Sequence, residues 1–183
     1  MSLSVQERAE YVATFRFIQV FLMETLARWV PPTPEMEVKV LFGRHIWDLT
    51  QQADALGRRG YELRAPLQFS LRPAESYVEV LEEFARTNTT PQKIHGFYDV
   101  ILPGLAARYR NYLERTDRLL DEPTVRVVEK ILGEFNRMIG ESEALRKELS
   151  QLRLTDKDWP AGLAKREASE ANIVVRRSSA AVA

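Results

Sequence analysis

The sequence predicts an all-α fold: four long helices set as two helical hairpins, joined by one crossover that contains a short extra helix. Three observations predict it. Proline stands where a helix would begin at Pro34, Pro73, Pro91 and Pro123, a position where its missing N–H costs nothing because that group has no intrahelical partner. The long helical patterns run to roughly 28 residues, or about 42 Å at 1.5 Å per residue, a length suited to rods packed side by side. The connections from Val30 to Pro34 and from Leu120 to Pro123 are too short for the chain to travel, so each joins antiparallel neighbours.

The first helix is expected from Ser4 to Val30, opened by Ser4 and Glu7 at capping-box spacing. Its apolar residues Tyr11, Phe15, Phe17, Ile18, Phe21, Leu22, Leu26 and Trp29 spread beyond one stripe, which implies a second packing surface and an oligomer, in the simplest case a homodimer. The second is expected from Pro34 to Leu63. Advanced by 100° per residue, its positions Val38, Leu41, His45, Asp48, Leu49, Gln52, Leu56 and Leu63 fall on one stripe. A crossover of roughly 25 residues follows, from Arg64 to Thr90, with a short helix from Pro73 to Arg86 inside it. The next long helix runs from Pro91 to Leu120, and Pro103 before Gly104 predicts a kink there. The last runs from Pro123 to Leu152.

Residues 1–155 thus form a single helical domain and residues 156–183 a C-terminal tail. The tail is rich in Ala, Ser and charge, with Ile173 to Val175 its one apolar cluster. It is expected to be mobile or to pack on a neighbouring subunit.

Composition narrows the function classes. The 183 residues suffice for one core without staples. The 26 basic and 26 acidic residues interleave along the helices, so no footprint for nucleic acid is visible. Without cysteine there is no disulfide, thiolate nucleophile or iron–sulfur cluster. Arg16, Glu24 and Arg28 interrupt the most apolar stretch, which argues against a membrane span. No basic region followed by an apolar core opens the chain, so a cytoplasmic location is expected. Neither an internal repeat nor a Gly-rich phosphate loop is present.

Chemistry must then come from oxygen and nitrogen groups. His45, Asp48 and Gln52 share the apolar stripe of the second helix, so each needs a partner across the core. They form either a ligand or metal site faced by Glu24, or a satisfied polar network that fixes helix register, or a rotated stripe with Asp48 at solvent. The second histidine, His95, has Asp99 one turn on, as His45 has Asp48. Convergence of Glu24, His45, Asp48, His95 and Asp99 would make an O/N site for a divalent metal. Tyr98, Tyr109 and Tyr112 follow at helical spacing, as core aromatics or as hydrogen-bond donors to a ligand. The run from Glu141 to Glu148 reads as a solvated face with Glu–Lys support.

The stretches Glu37 to Arg59, EVKVLFGRHIWDLTQQADALGRR, and Asp121 to Met138, DEPTVRVVEKILGEFNRM, resemble the second and fourth bundle helices of the ferritin-like superfamily. Members that bind two irons carry Glu-x-x-His on those helices and a Glu on each of the others. This sequence has no Glu-x-x-His. The nearest registers offer Asp48 with Gln51 or Leu49 with Gln52, and Glu134 with Arg137 or Phe135 with Met138, none of which can hold iron in the usual way. Glu24 alone matches a ligand position.

The resemblance therefore implies a degenerate bundle without a standard di-iron centre or other cofactor, which binds a small molecule or a protein partner without catalysis. The competing expectation is a metal-dependent oxidoreductase of ferritin-like or haem-oxygenase-like fold, with a non-standard ligand set drawn from the residues above; in the haem-oxygenase-like version His45 or His95 would be the ligand.

Overall fold

The computed structural model describes residues 3–176, and every regular element among them is helical. Helix α1 (Val5–Trp29) opens on the expected capping box: the Glu7 N–H donates to the Ser4 hydroxyl at 3.2 Å and the Ser4 N–H donates to the Glu7 carboxylate at 2.9 Å. Two donors that a helix start leaves bare are thereby satisfied. At the far end Thr33 donates to the Trp29 carbonyl at 2.6 Å, and the prolines that follow forbid continuation. Helix α2 (Met36–Glu62) starts just beyond Pro34, without a side-chain cap. It returns along α1, with Trp29 against Phe42 and Met23 against Thr50. The chain leaves α2 through Arg64 at φ 69°, whose left-handed turn lets the Ala65 N–H close on the Gly60 carbonyl at 3.0 Å.

The crossover is fastened to the first hairpin rather than looped over it. Leu71 N–H donates to the Ala13 carbonyl at 3.1 Å, and Arg16 holds Gln68 at 2.9 Å. Gly57 makes room for that contact, since a Cβ there would collide with the Gln68 amide. Helix α3 (Glu75–Ala85) follows and sets Phe84 edge-on to Trp29 at 4.9 Å. Part of the apolar excess on α1 is consumed in this way within the chain.

The next rod is composite: α4 (Thr90–His95), one wide π turn (Gly96–Ile101) and α5 (Leu102–Arg115). The disturbance expected at Pro103 takes this form. Pro103 has no N–H for the carbonyl of Asp99, and its ring crowds that carbonyl; the turn upstream widens, so that the Leu102 N–H reaches back to Phe97. The rod also stops at Arg115, five residues before the expected Leu120. Asp117 accepts from the N–H groups of Leu119 and Leu120 at 2.9 and 3.0 Å, a local bond that competes with the helix ladder. Helix α6 (Glu122–Glu148) then runs back, and a 3₁₀ turn (Ser150–Leu152) leads to α7 (Asp158–Ser169).

The segment assigned to a tail packs on its own chain. Leu163 is fully buried, Arg108 of α5 binds the Glu167 carboxylate and the Glu167 carbonyl, and the Ala74 N–H donates to Ile173 at 3.0 Å. Residues 177–183 of that tail lie outside the described residues. Aromatic side chains fill the space between the rods: Phe15 stands 4.2 Å from Tyr109, which stacks on Phe135 at 5.6 Å. Each such ring, taken wholly out of water, contributes about 1.5–3 kcal/mol. At the opposite end from His45, buried Asp121 accepts from Tyr112, Thr116, Thr124 and Arg59 at 2.5–3.1 Å. Among the described residues no helix is long and apolar enough to cross a membrane.

Candidate functional site

Two groups of polar side chains stand out, and the π turn contributes to both. Tyr98 and Asp99 are consecutive on it; the first is fully buried and the second 38% exposed. One group lines the seam between α2 and α6, the other a cleft at the surface.

In the seam His45 is inaccessible to solvent. Its Nδ1 lies 2.6 Å from the Tyr98 hydroxyl and its Nε2 3.1 Å from the Glu141 carboxylate. A carboxylate only accepts, so Nε2 carries the hydrogen and Nδ1 takes the phenol proton. Burial lowers the imidazole pKa against the opposing pull of Glu141 and Asp48, and burial also pushes the Tyr98 phenol well above its ordinary range. Both shifts favour this neutral arrangement, in which no ring nitrogen of His45 has a lone pair to spare. Burial raises the Glu141 carboxyl, but the hydrogen bonds from Arg137 and His45 outweigh it and hold the group below the usual range.

The seam continues as a ladder. Arg137 pairs with Glu141 at 2.9 Å and with Asp48 at 2.8 Å, and Gln52 donates to Glu134 at 2.8 Å. Of the candidate residues, His45, Asp48, Gln52 and Tyr98 are therefore brought together. Tyr109 is buried elsewhere in the core, accepting from Gln19 at 3.0 Å. Glu24, expected to face inward, is exposed on α1; the core face of that helix belongs to Ile18, Leu22 and Leu26. Among the described residues no three His, Cys, Asp or Glu side chains are grouped to hold a metal ion. The O/N set proposed from sequence is divided between the seam, the cleft and the solvent.

The cleft, about 720 Å³, lies between the end of α6, the His95–Asp99 turn and the segment from Leu152 to Pro160. His95 donates through Nδ1 to Asp99 at 2.6 Å, and Arg146 donates to the same oxygen at 2.7 Å. The 3.2 Å between Arg146 and His95 Nδ1 follows from that shared acceptor, because both nitrogens are donors. Burial raises the Asp99 carboxyl, yet the bonds from His95 and Arg146 prevail and hold it below the carboxylate range. Nε2 of His95 bonds to no described residue and stays open to solvent. Lys147, Arg153 and Lys157 complete the lining with Glu143.

The run from Glu141 to Glu148 thus has two sides. Glu143, Lys147 and Glu148 are exposed as expected, whereas Glu141, Ser142 and Arg146 turn inward. The signal was present: the buried stripe Val128, Ile131, Phe135, Met138 reaches Ser142 at the next helical step. Against this geometry, comparison with known proteins adds no relative: no family model, curated protein or solved structure matches the chain.

Proposed function

We propose that the chain is a non-catalytic bundle of ferritin-like connectivity that binds a small molecule, its metal-ligand positions given over to a closed polar ladder. Contacts between the rods support the connectivity. Phe15 meets Tyr109 and Tyr11 meets Tyr112, His45 meets Glu141 and Arg59 meets Thr124, while Tyr109 meets Phe135 and Asp99 meets Arg146. Neighbouring rods are antiparallel around the ring, with the crossover between the second and third.

The observation that carries the reading is Arg137, paired at once with Asp48 and Glu141. A guanidinium occupies the place among carboxylates that a cation ligand set would need, and it cannot be deprotonated to make way. With His45 committed at both nitrogens, the seam offers a fixed helix register rather than open coordination. The cleft beside His95 is a surface open to a ligand, of a size usual for small-molecule sites.

Metal analysis tests the first half. Protein purified without chelators and then incubated with Fe(II), Mn(II) or Zn(II) is expected to retain below about a tenth of an equivalent after desalting. Stoichiometric retention that is lost in Asp48→Asn would overturn the reading.

A further inference from the structure

The cleft carries more information than its size. Its lining holds four permanent cations, Arg146, Lys147, Arg153 and Lys157, against two carboxylates, Asp99 and Glu143, an excess of two positive charges before His95 is considered. Asp99 is already paired with Arg146 and accepts from His95. Lys147, Arg153 and Lys157 take no ion pair among the described residues. Asp156, beside Lys157 in sequence, is turned instead to the N–H groups of Asp158 and Trp159 at 2.9 and 3.3 Å. Cations gathered in one concavity repel one another, and a bound anion relieves that repulsion.

Arg146 gives the site direction. Its side chain is 16% exposed and held from two sides, by Asp99 and by the Ser142 carbonyl at 3.3 Å. Among the described residues one terminal nitrogen has no partner, in a guanidinium whose orientation is already set, and such a donor suits a phosphate oxygen. The Asp99 carboxylate fixes His95 with its hydrogen on Nδ1, so a neutral ring presents only a lone pair at Nε2 and the cations supply the donors of the cleft. Leu152, fully buried, anchors the opposite wall and keeps Arg153 at the rim.

We propose that this cleft binds a small phosphate compound of two or more negative charges, a phosphate monoester or a diphosphate, through Arg146, Lys147, Arg153 and Lys157. A charge excess of two matches such a dianion, whereas a single carboxylate leaves half of it unanswered. The inference rests on the binding reading above, but its test is separate: anion titration reads the cleft and metal uptake reads the seam.

The experiment is calorimetric titration of the full chain at pH 7 and low salt with sodium pyrophosphate, with glycerol 3-phosphate and with sodium acetate. Saturable one-to-one binding of pyrophosphate or glycerol 3-phosphate is expected, and whichever is tighter tells a diphosphate from a monoester. Acetate, a single carboxylate, is expected to bind at least roughly tenfold more weakly. Lys147→Glu with Arg153→Glu replaces two exposed cations, so the fold should hold by circular dichroism while affinity falls at least about tenfold. No saturable binding of either phosphate, acetate bound equally well, or affinity untouched by the double substitution would each overturn the proposal.

Discussion

Replacing His45 by Phe isolates the seam network. Among the described residues the imidazole is the one hydrogen-bond partner of the buried Tyr98 hydroxyl and one of three groups on Glu141, which keeps Arg137 and Arg44. An unpaired buried hydroxyl costs about 1–3 kcal/mol, and the lost bond to a partly exposed carboxylate about 1 kcal/mol, while a phenyl ring fills the space. His45→Phe should therefore lose about 3 kcal/mol in urea unfolding at pH 7 with m unchanged, and melt roughly 6–12 °C lower. Removing both partners of a buried hydrogen bond is far milder than removing one. The double variant His45→Phe, Tyr98→Phe should accordingly recover about 1–2 kcal/mol of that loss.

A pH series supplies the second arm. Burial depresses the folded-state pKa of His45 below its ordinary 6.5, so on acidification the unfolded chain takes up a proton that the folded chain resists. The contribution is complete above about pH 6.5 and is lost as pH falls through the folded value. Between those limits the wild type should lose stability and His45→Phe should stay flat. Equal slopes in the two proteins, or a double variant no better than the single one, would refute the network as drawn.

Three further outcomes follow from the same structure. Asp121→Ala leaves Arg59 with only the exposed Glu62 carboxylate and takes the acceptor from the Tyr112, Thr116 and Thr124 hydroxyls, and should cost about 3–5 kcal/mol; because the four donors hold the Asp121 carboxyl below its ordinary range against burial, that stability in the wild type is present at neutral pH and lost as acid brings pH through the folded value. Gly104→Ala drives a methyl into the Glu167 carboxylate that Arg108 holds, so hydrogen exchange should show α7 opening more readily while the four rods keep their protection. Glu24→Gln should change stability by less than about 0.5 kcal/mol, the signature of an exposed side chain rather than a ligand.

Local chemistry made much of this fold legible. Ser4 with Glu7 marks the first helix start to the residue, and the prolines stand within two residues of the later starts because each acts on its own backbone and on the preceding turn. What escaped depended on partners remote in sequence. Arg108 and Glu167 belong to different helices, and neither carries a pattern that names the other; without that pair and the burial of Leu163 the segment after residue 155 reads as a tail. Asp117 ends its helix early through two bonds within its own turn, a competition that apolar periodicity does not register. The inward placing of His45, Asp48 and Gln52 was visible on the α2 stripe, and so was the option that they form a satisfied network. Their partners Glu141, Arg137 and Glu134 were hidden in charged stretches, because a helix face can be ionic and still be turned to a neighbour.

Nitrogen NMR of the two histidines, assigned by a single His95→Gln variant, reads the state of the seam without perturbing it. His45 is expected to stay a neutral Nε2–H imidazole through neutral pH, with its signals unbroadened when stoichiometric Mn(II) is added. Selective broadening of His45 by that ion, or an imidazolium signal from it at neutral pH, would show a seam open to ligands and overturn the closed network.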